Sequence, residues 1–253
     1  MSGYTKRRPG APPGFFAAEA AGLVWLAAAG PAAARVVGVL DVGAEHIALE
    51  QLHPARPTAA AAEAFGRALA ATHAAGAEAY GSPPPDWEGD AWIGRQPLRL
   101  EPTDRFGSFY AEQRLLPYAR RAVQLGHLSP DGLAAVERVC DRLVGGEFDD
   151  DRAPARIHGD LWAGNVLFTA DGAVLIDPAA HGGHGLTDLA MLHLFGAPHL
   201  DRITAAYAEA AELPSGGWRD LIGLHQLHPL LVHAVSHGPG YGVEAAAVAF
   251  RYA

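Results

Sequence analysis

Cysteine is almost missing from this 253-residue chain, where Cys140 stands alone. An intrachain disulfide is therefore excluded, and a reducing, cytoplasmic setting is expected. Long apolar runs are missing too, since none approaches the roughly 20 residues a membrane helix needs. The N-terminus carries basic residues with no apolar stretch behind them, so it does not read as a signal peptide. Positive charge is scarce. A formal charge of −9 argues against a nucleic-acid binder, which needs a basic footprint. No G-x-G-x-x-G occurs anywhere, so the glycine loop that cradles nucleotide phosphates is absent from the sequence as written.

What is there is globular: 49% apolar and 19% charged residues, enough for one large domain or two lobes with a substantial core. Residues 6–14, Lys-Arg-Arg-Pro-Gly-Ala-Pro-Pro-Gly, read as a loop. Phe15, Phe16, Ala20, Leu23 and Leu26 then follow helical spacing until Gly30-Pro31. Strands are expected over 35–40 and 46–50, turning at Asp41-Val42-Gly43. Pro54 and Pro57 mark a linker, and Thr58 caps a helix running to His73. Residues 76–103 show no clear period. Helices are expected over 106–125 and 131–144, the second announced by Ser129-Pro130. From Thr187 onward the chain reads as helical, with breaks at 196–198 and 213–217. The expected organisation is a small, incomplete β-containing N-terminal part, 1–53, and a larger, mostly helical part, 54–253.

The chemistry concentrates in His158-Gly159-Asp160-Leu161-Trp162-Ala163-Gly164-Asn165, with Asp177 twelve residues beyond Asn165. His-Gly-Asp alone could be an ordinary turn. Its flanks say more. Val166-Leu167-Phe168 and Val174-Leu175-Ile176 surround Asp171-Gly172, so a hairpin should bring Asn165 near Asp177. An amide and a carboxylate converging beside a third carboxylate, Asp160, suit magnesium, a hard cation that takes oxygen ligands. The spacing is that of a kinase catalytic loop and its metal-binding Asp. His181-Gly182-Gly183-His184 invites a transition-metal reading, but no further ligand sits at zinc-like spacing. His228 and His233 fit either a substrate cleft or core hydrogen bonds. Trp87 and Trp92 fit a core cover better than a sugar platform.

The run from His158 to Gly196 resembles the fructosamine kinase (ketosamine-3-kinase) family, within the aminoglycoside-phosphotransferase-like kinases. Asp177-Pro178-Ala179, Asp188-Leu189-Ala190-Met191 and Leu194-Phe195-Gly196 carry the second block, and Phe16-Ala17-Ala18-Glu19-Ala20-Ala21-Gly22-Leu23 the front. The resemblance implies a two-lobed, protein-kinase-like α+β fold, ATP and Mg2+ as cofactors, and a small-molecule or protein-bound ketosamine as the acceptor. Phosphorylation at the third carbon would destabilise the adduct, a deglycation role. It also implies Asp160 as the catalytic base, and Asn165 and Asp177 as metal ligands. Lys6 would lie on the phosphates with Glu19 as its ion-pair partner. Glu50 and Leu52 would offer hinge backbone groups to adenine. Asp188 would hold the loop's backbone N–H groups or, alternatively, cap a helix with Thr187. The missing glycine loop keeps a non-catalytic pseudokinase open as an alternative. A relative acting on an aminoglycoside or amino-alcohol is the other.

Overall fold

The computed structural model describes residues 3–150 and 152–253. Its first elements are β1 (Gly3–Arg7), α1 (Phe15–Ala27), β2 (Arg35–Val36), β3 (Val39–Gly43) and β4 (His46–Glu50). Lys6 and Arg7 are thus in a strand and not in the expected loop. They pair with Ile47 and His46 across an antiparallel ladder, a partnership some forty residues away that local composition does not reveal. The sheet order is β1-β4-β3. The expected strand over 35–40 divides. Arg35-Val36 pairs in parallel with Val174-Leu175, and the chain re-enters the first sheet at Val39. The Glu50 carboxylate supports the break by accepting from Gly38 N at 3.2 Å and pairing with Arg35. The turn expected at 41–43 falls at Ala44-Glu45, because β3 continues through Gly43.

The middle of the chain contributes α2 (Ala59–Ala74), β5 (Ala91–Ile93), β6 (Gln96–Leu98), α3 (Phe106–Phe109), a π-helical turn (Tyr110–Leu115), α4 (Leu116–Gln124) and α5 (Pro130–Val144). Thr58 caps α2 by accepting from Ala61 N, and Ser129 caps α5 by accepting from Gly132 N. Such caps contribute about 1 kcal/mol each. The stretch 76–103 holds an antiparallel hairpin, β5–β6. The helix expected over 106–125 is present with one π-helical turn, whose wider winding buries Tyr110, Ala111, Gln113, Arg114 and Leu115 together.

The remainder is β7 (Ala155–Ile157), β8 (Val166–Thr169), β9 (Gly172–Leu175), β10 (His181–Gly183), α6 (Gly185–Phe195), α7 (Leu200–Ala210), α8 (Trp218–His237) and α9 (Pro239–Tyr252). Pro229 lies inside α8 and has no N–H to give the His225 carbonyl one turn back. The buried Tyr110 hydroxyl replaces it, donating to His225 O at 3.0 Å and Leu224 O at 3.2 Å.

Among the described residues two apolar clusters form the interior. One joins Phe16, Leu23 and Ile47 to Leu69, Leu161, Val174 and Leu189, so α1 and the first sheet share a core with α2, β8–β9 and α6. The other gathers Leu98, Phe109, Val139, Leu230 and Ala249 beneath β5–β6. The linker is stitched down as well, with Ala55 N donating to Phe168 O at 2.8 Å. Burying each such large side chain contributes roughly 1.5–3 kcal/mol, which makes the shared cluster the principal tie between the front and back of the chain. Among the described residues no helix is long and apolar enough to cross a membrane.

Candidate active site

The β8–β9 hairpin runs from Val166↔Leu175 to Thr169↔Gly172. It brings Asn165 and Asp177 to the same end, as the apolar flanks predicted. Asn165 Nδ2 donates to Asp160 O at 2.7 Å, to Asp177 O at 3.3 Å and to Asp160 Oδ2 at 3.4 Å. Its amide nitrogen is spent on the loop, leaving Oδ1 as the side-chain atom able to meet a cation. Asp177 itself has φ 52°, a left-handed conformation that Asp tolerates better than most residues. It marks local strain at the site.

His158 secures the loop from below. Its Nε2 donates to Ile176 O (2.9 Å), and its Nδ1 accepts from Asp160 N (3.2 Å). Burial lowers its pKa, and this neutral tautomer satisfies both bonds. Asp188 takes the next two N–H groups, His158 N at 2.7 Å and Gly159 N at 2.9 Å. Asp188 therefore braces the loop, and the cap of α6 falls to His184, whose side chain accepts from Leu186 N. Gly159 is required here: its φ is +80°, and a Cβ would run into the Ala179 carbonyl.

The front of the chain supplies the facing charge. Lys6 Nζ donates to both Glu19 oxygens at 3.0 Å and lies 3.1 Å from Asp177 Oδ1. Burial pulls the Lys6 pKa down, but the Glu19 and Asp177 carboxylates outweigh it and leave it raised. Glu19 is raised, mainly by burial, against the pull of Lys6. Gly22 lets α1 close on the Asp177 loop, its Cβ position lying 3.1 Å from Ala180 Cβ. Burial first, and the Asp177 charge second, push the Asp160 carboxyl up to about 7.

These groups line a cleft of about 480 Å³. Lys6, Glu19, Asp160, Asn165 and Asp177 line it together with the aromatic side chains of Phe15, Trp87, Trp92 and Trp162. Trp87 and Trp92 also pack on the core, so they do more than cover it. Arg7, Arg8 and Arg95 add positive charge at the rim. Sequence reading missed Arg95 because the β5–β6 hairpin that presents it was unrecognised. A second cavity of about 230 Å³ is lined by Tyr4, Val37, Leu49, Glu50, Leu52, Leu167, Ile176 and Asp177. Asp177 thus borders both. Glu50 and Leu52 lie where a hinge was expected, but Glu50 N is occupied by Gly38 O at 2.8 Å and its carboxylate by Arg35 and Gly38.

The histidines divide differently. His181 Nδ1 donates to Ala179 O, and its Nε2 accepts from the buried Arg114. His184 pairs with Asp150. His228 packs against Tyr118, and His233 bonds Pro229 O. Neither His228 nor His233 lines the cleft. His73, on the buried face of α2, contacts Asp188, and the sequence reading missed it. Its signal was an ionisable residue on a helix's apolar stripe.

The family profile described as fructosamine kinase matches residues 5–251. The chain belongs to the fructosamine kinase family. A candidate ketoamine kinase from Thermus thermophilus is 34% identical over 232 residues, 91% of this chain and 79% of that protein. The solved structure of a candidate fructosamine-3-kinase from Thermobifida fusca matches with a TM-score of 0.89 at 48% identity, over 98% of this chain and 85% of that one. An aminoglycoside phosphotransferase, solved as a ternary complex with AMP-PNP and hygromycin B, has a TM-score of 0.62 at 13% identity, over 94% of this chain and 82% of that one. That likeness is one of fold. The fructosamine kinase chain accordingly has the expected two-lobed, protein-kinase-like α+β architecture.

Proposed function

We propose that this fructosamine kinase family member transfers the γ-phosphoryl group of ATP to a sugar hydroxyl of a ketosamine, a deglycation reaction. One observation carries the reading: Asp160, Asn165 and the Lys6-paired Asp177 converge on a cleft that four aromatic side chains also line. ATP would lie between the lobes formed by residues 1–53 and 54–253. Its adenine would occupy the cavity bordered by Leu49, Leu52 and Ile176, with backbone contacts from Leu52 and from the Glu50 carbonyl, the Glu50 N–H being bonded to Gly38 O. Its phosphates would reach past Asp177 towards Lys6.

The donor set fits magnesium. Mg2+ is usually held by one or two carboxylates together with phosphate oxygens and water, and Asn165 and Asp177 offer that kind of oxygen. When bound there, the ion supplies neutralisation of phosphate charge. The chain's own groups do the rest. Asp160 accepts the proton of the acceptor hydroxyl, and a carboxyl near neutrality is well matched to that task. Lys6, freed from Asp177 as the phosphates enter, keeps Glu19 as its anchor and offers charge to them. Phe15, Trp87, Trp92 and Trp162 orient the sugar and shed water from it.

The test is phosphorylation of ribulosyl-lysine and fructosyl-lysine, followed as ADP release and identified by 31P NMR. Asp160→Asn should lose most turnover while retaining nucleotide binding. Turnover of Asp160→Asn at the wild-type rate overturns the assignment of the base. A phosphorylated aminoglycoside with no phosphorylated ketosamine overturns the acceptor class.

A further inference from the structure

Three helices meet at one buried point behind the catalytic loop. Tyr207 on α7 places its hydroxyl 2.7 Å from His73 Nδ1, and His73 Nε2 on α2 lies 3.0 Å from Asp188 Oδ2 on α6. All three side chains are buried: Tyr207 is 4% exposed, His73 6% and Asp188 1%. One tautomer satisfies the row, with Tyr207 O–H donating to Nδ1 and Nε2–H donating to Asp188. The same Oδ2 that receives His73 also receives His158 N, and Oδ1 receives Gly159 N. Asp188 thus accepts from three donors, two at Oδ2 and one at Oδ1. Gly185 makes the approach possible, since a Cβ there would lie 2.6 Å from the Tyr207 hydroxyl and 2.7 Å from His73 Nδ1.

We infer that His73 is a positioning residue for phosphoryl transfer, acting through Asp188 to hold the backbone of His158 and Gly159 and hence the direction of Asp160. A buried carboxylate bonded only by two backbone N–H groups of a loop can rock with that loop. A third donor on a rigid helix removes this freedom. Positioning errors of an ångström are costly in rate, because the reacting atoms must already be aligned. Tyr207 fixes the ring in turn, so the docking of α7 on α2 is transmitted to the loop. His73 touches no part of the cleft, and its effect should therefore appear in kcat and not in nucleotide affinity.

The inference rests on the phosphotransfer reading for its kinetic arm alone. His73→Leu, His73→Gln and His73→Asn should be compared in the full chain, with Tyr207→Phe beside them. A Gln amide nitrogen can reach the Nε2 position, whereas an Asn amide mimics Nδ1. His73→Leu and His73→Asn should lose about 10–100-fold in kcat with the KM for Mg-ATP within about twofold of wild type. His73→Gln should recover most of the loss. Amide hydrogen exchange at His158 and Gly159 supplies the second readout. It should speed up in His73→Leu and His73→Asn and return towards wild type in His73→Gln. Wild-type kcat in His73→Leu overturns the inference, as does unchanged exchange at 158 and 159. His73→Gln no better than His73→Asn does so too. If His73→Leu fails to fold, the Gln and Asn pair and Tyr207→Phe decide. If no ketosamine is phosphorylated by wild type, the exchange arm still decides for or against His73 while the acceptor reading falls separately.

Discussion

Lys6 Nζ stands 3.1 Å from Asp177 Oδ1 and 3.0 Å from each oxygen of Glu19. One amine therefore ties β1, α1 and the end of the catalytic hairpin together. Lys6 is also the only lysine of the sequence. Lys6→Met should lower kcat by about 10²–10³-fold, the range for losing one preorganised charged donor at a transition state. Nucleotide-protected labelling is the companion measurement. With an amine-reactive reagent, peptide mapping should find Lys6 as the one modified side-chain amine, and Mg-ATP should slow its modification.

Asp160 should make the nucleotide-free protein pH-sensitive. Its carboxyl is raised to about 7 by burial and by Asp177, whereas an unfolded Asp ionises near pH 4. Between those values the folded chain binds more protons than the unfolded one, so this group's contribution falls as pH rises through the window. Asp160→Asn removes the penalty. Its stability advantage over wild type in urea unfolding should grow from pH 4 to 7, by about 1–4 kcal/mol in all, and then level off. A constant difference across that range would contradict the placement of Asp160.

Tyr110 and Pro229 should be energetically coupled. Tyr110→Phe leaves the His225 carbonyl buried without its 3.0 Å partner, at a cost of about 1–3 kcal/mol. Pro229→Ala returns an N–H able to reach that carbonyl. In a double-mutant cycle read by chemical denaturation, Tyr110→Phe should therefore cost less on the Pro229→Ala background than on wild type. Additive costs would show that the hydroxyl is not standing in for the missing helix bond.

Trp92 should set acceptor affinity. Its ring centroid is 5.4 Å from that of Phe15, and both line the cleft. Trp92→Ala should raise the ketosamine KM about tenfold or more, a loss of over ~1.4 kcal/mol, while the KM for ATP stays within about twofold. Initial-rate kinetics with each substrate varied in turn separates the two.

The catalytic hairpin was legible in the linear sequence because its information is local. Two apolar runs either side of a tight turn dictate an antiparallel pair, with the turn at Ala170-Asp171, one residue before the expected Asp171-Gly172, and Gly172 already paired with Thr169; the pair carries Asn165 and Asp177 to one end whatever else the chain does. Helices with strong caps, such as those opened by Thr58 and Ser129, were legible for the same reason. The strand at Lys6 was not, because its basic and proline-rich neighbours describe a loop and only the distant β4 ladder overrides them. The split of residues 35–40 had the same origin, since Arg35-Val36 finds its partner in β9.

The sequence by itself determined the candidates: Asp160, Asn165 and Asp177 at kinase spacing, with Lys6 and Glu19 added by the family resemblance. Their chemical types and short separations are properties of the chain alone. Only the tertiary structure decided what these groups feel. The burial that raises Asp160, the meeting of Lys6 with Asp177 and the seat of Asp188 beneath the loop with His73 behind it depend on elements far apart in sequence. Burial and electrostatic coupling are set by distances through space, and no spacing along the chain encodes them before it folds.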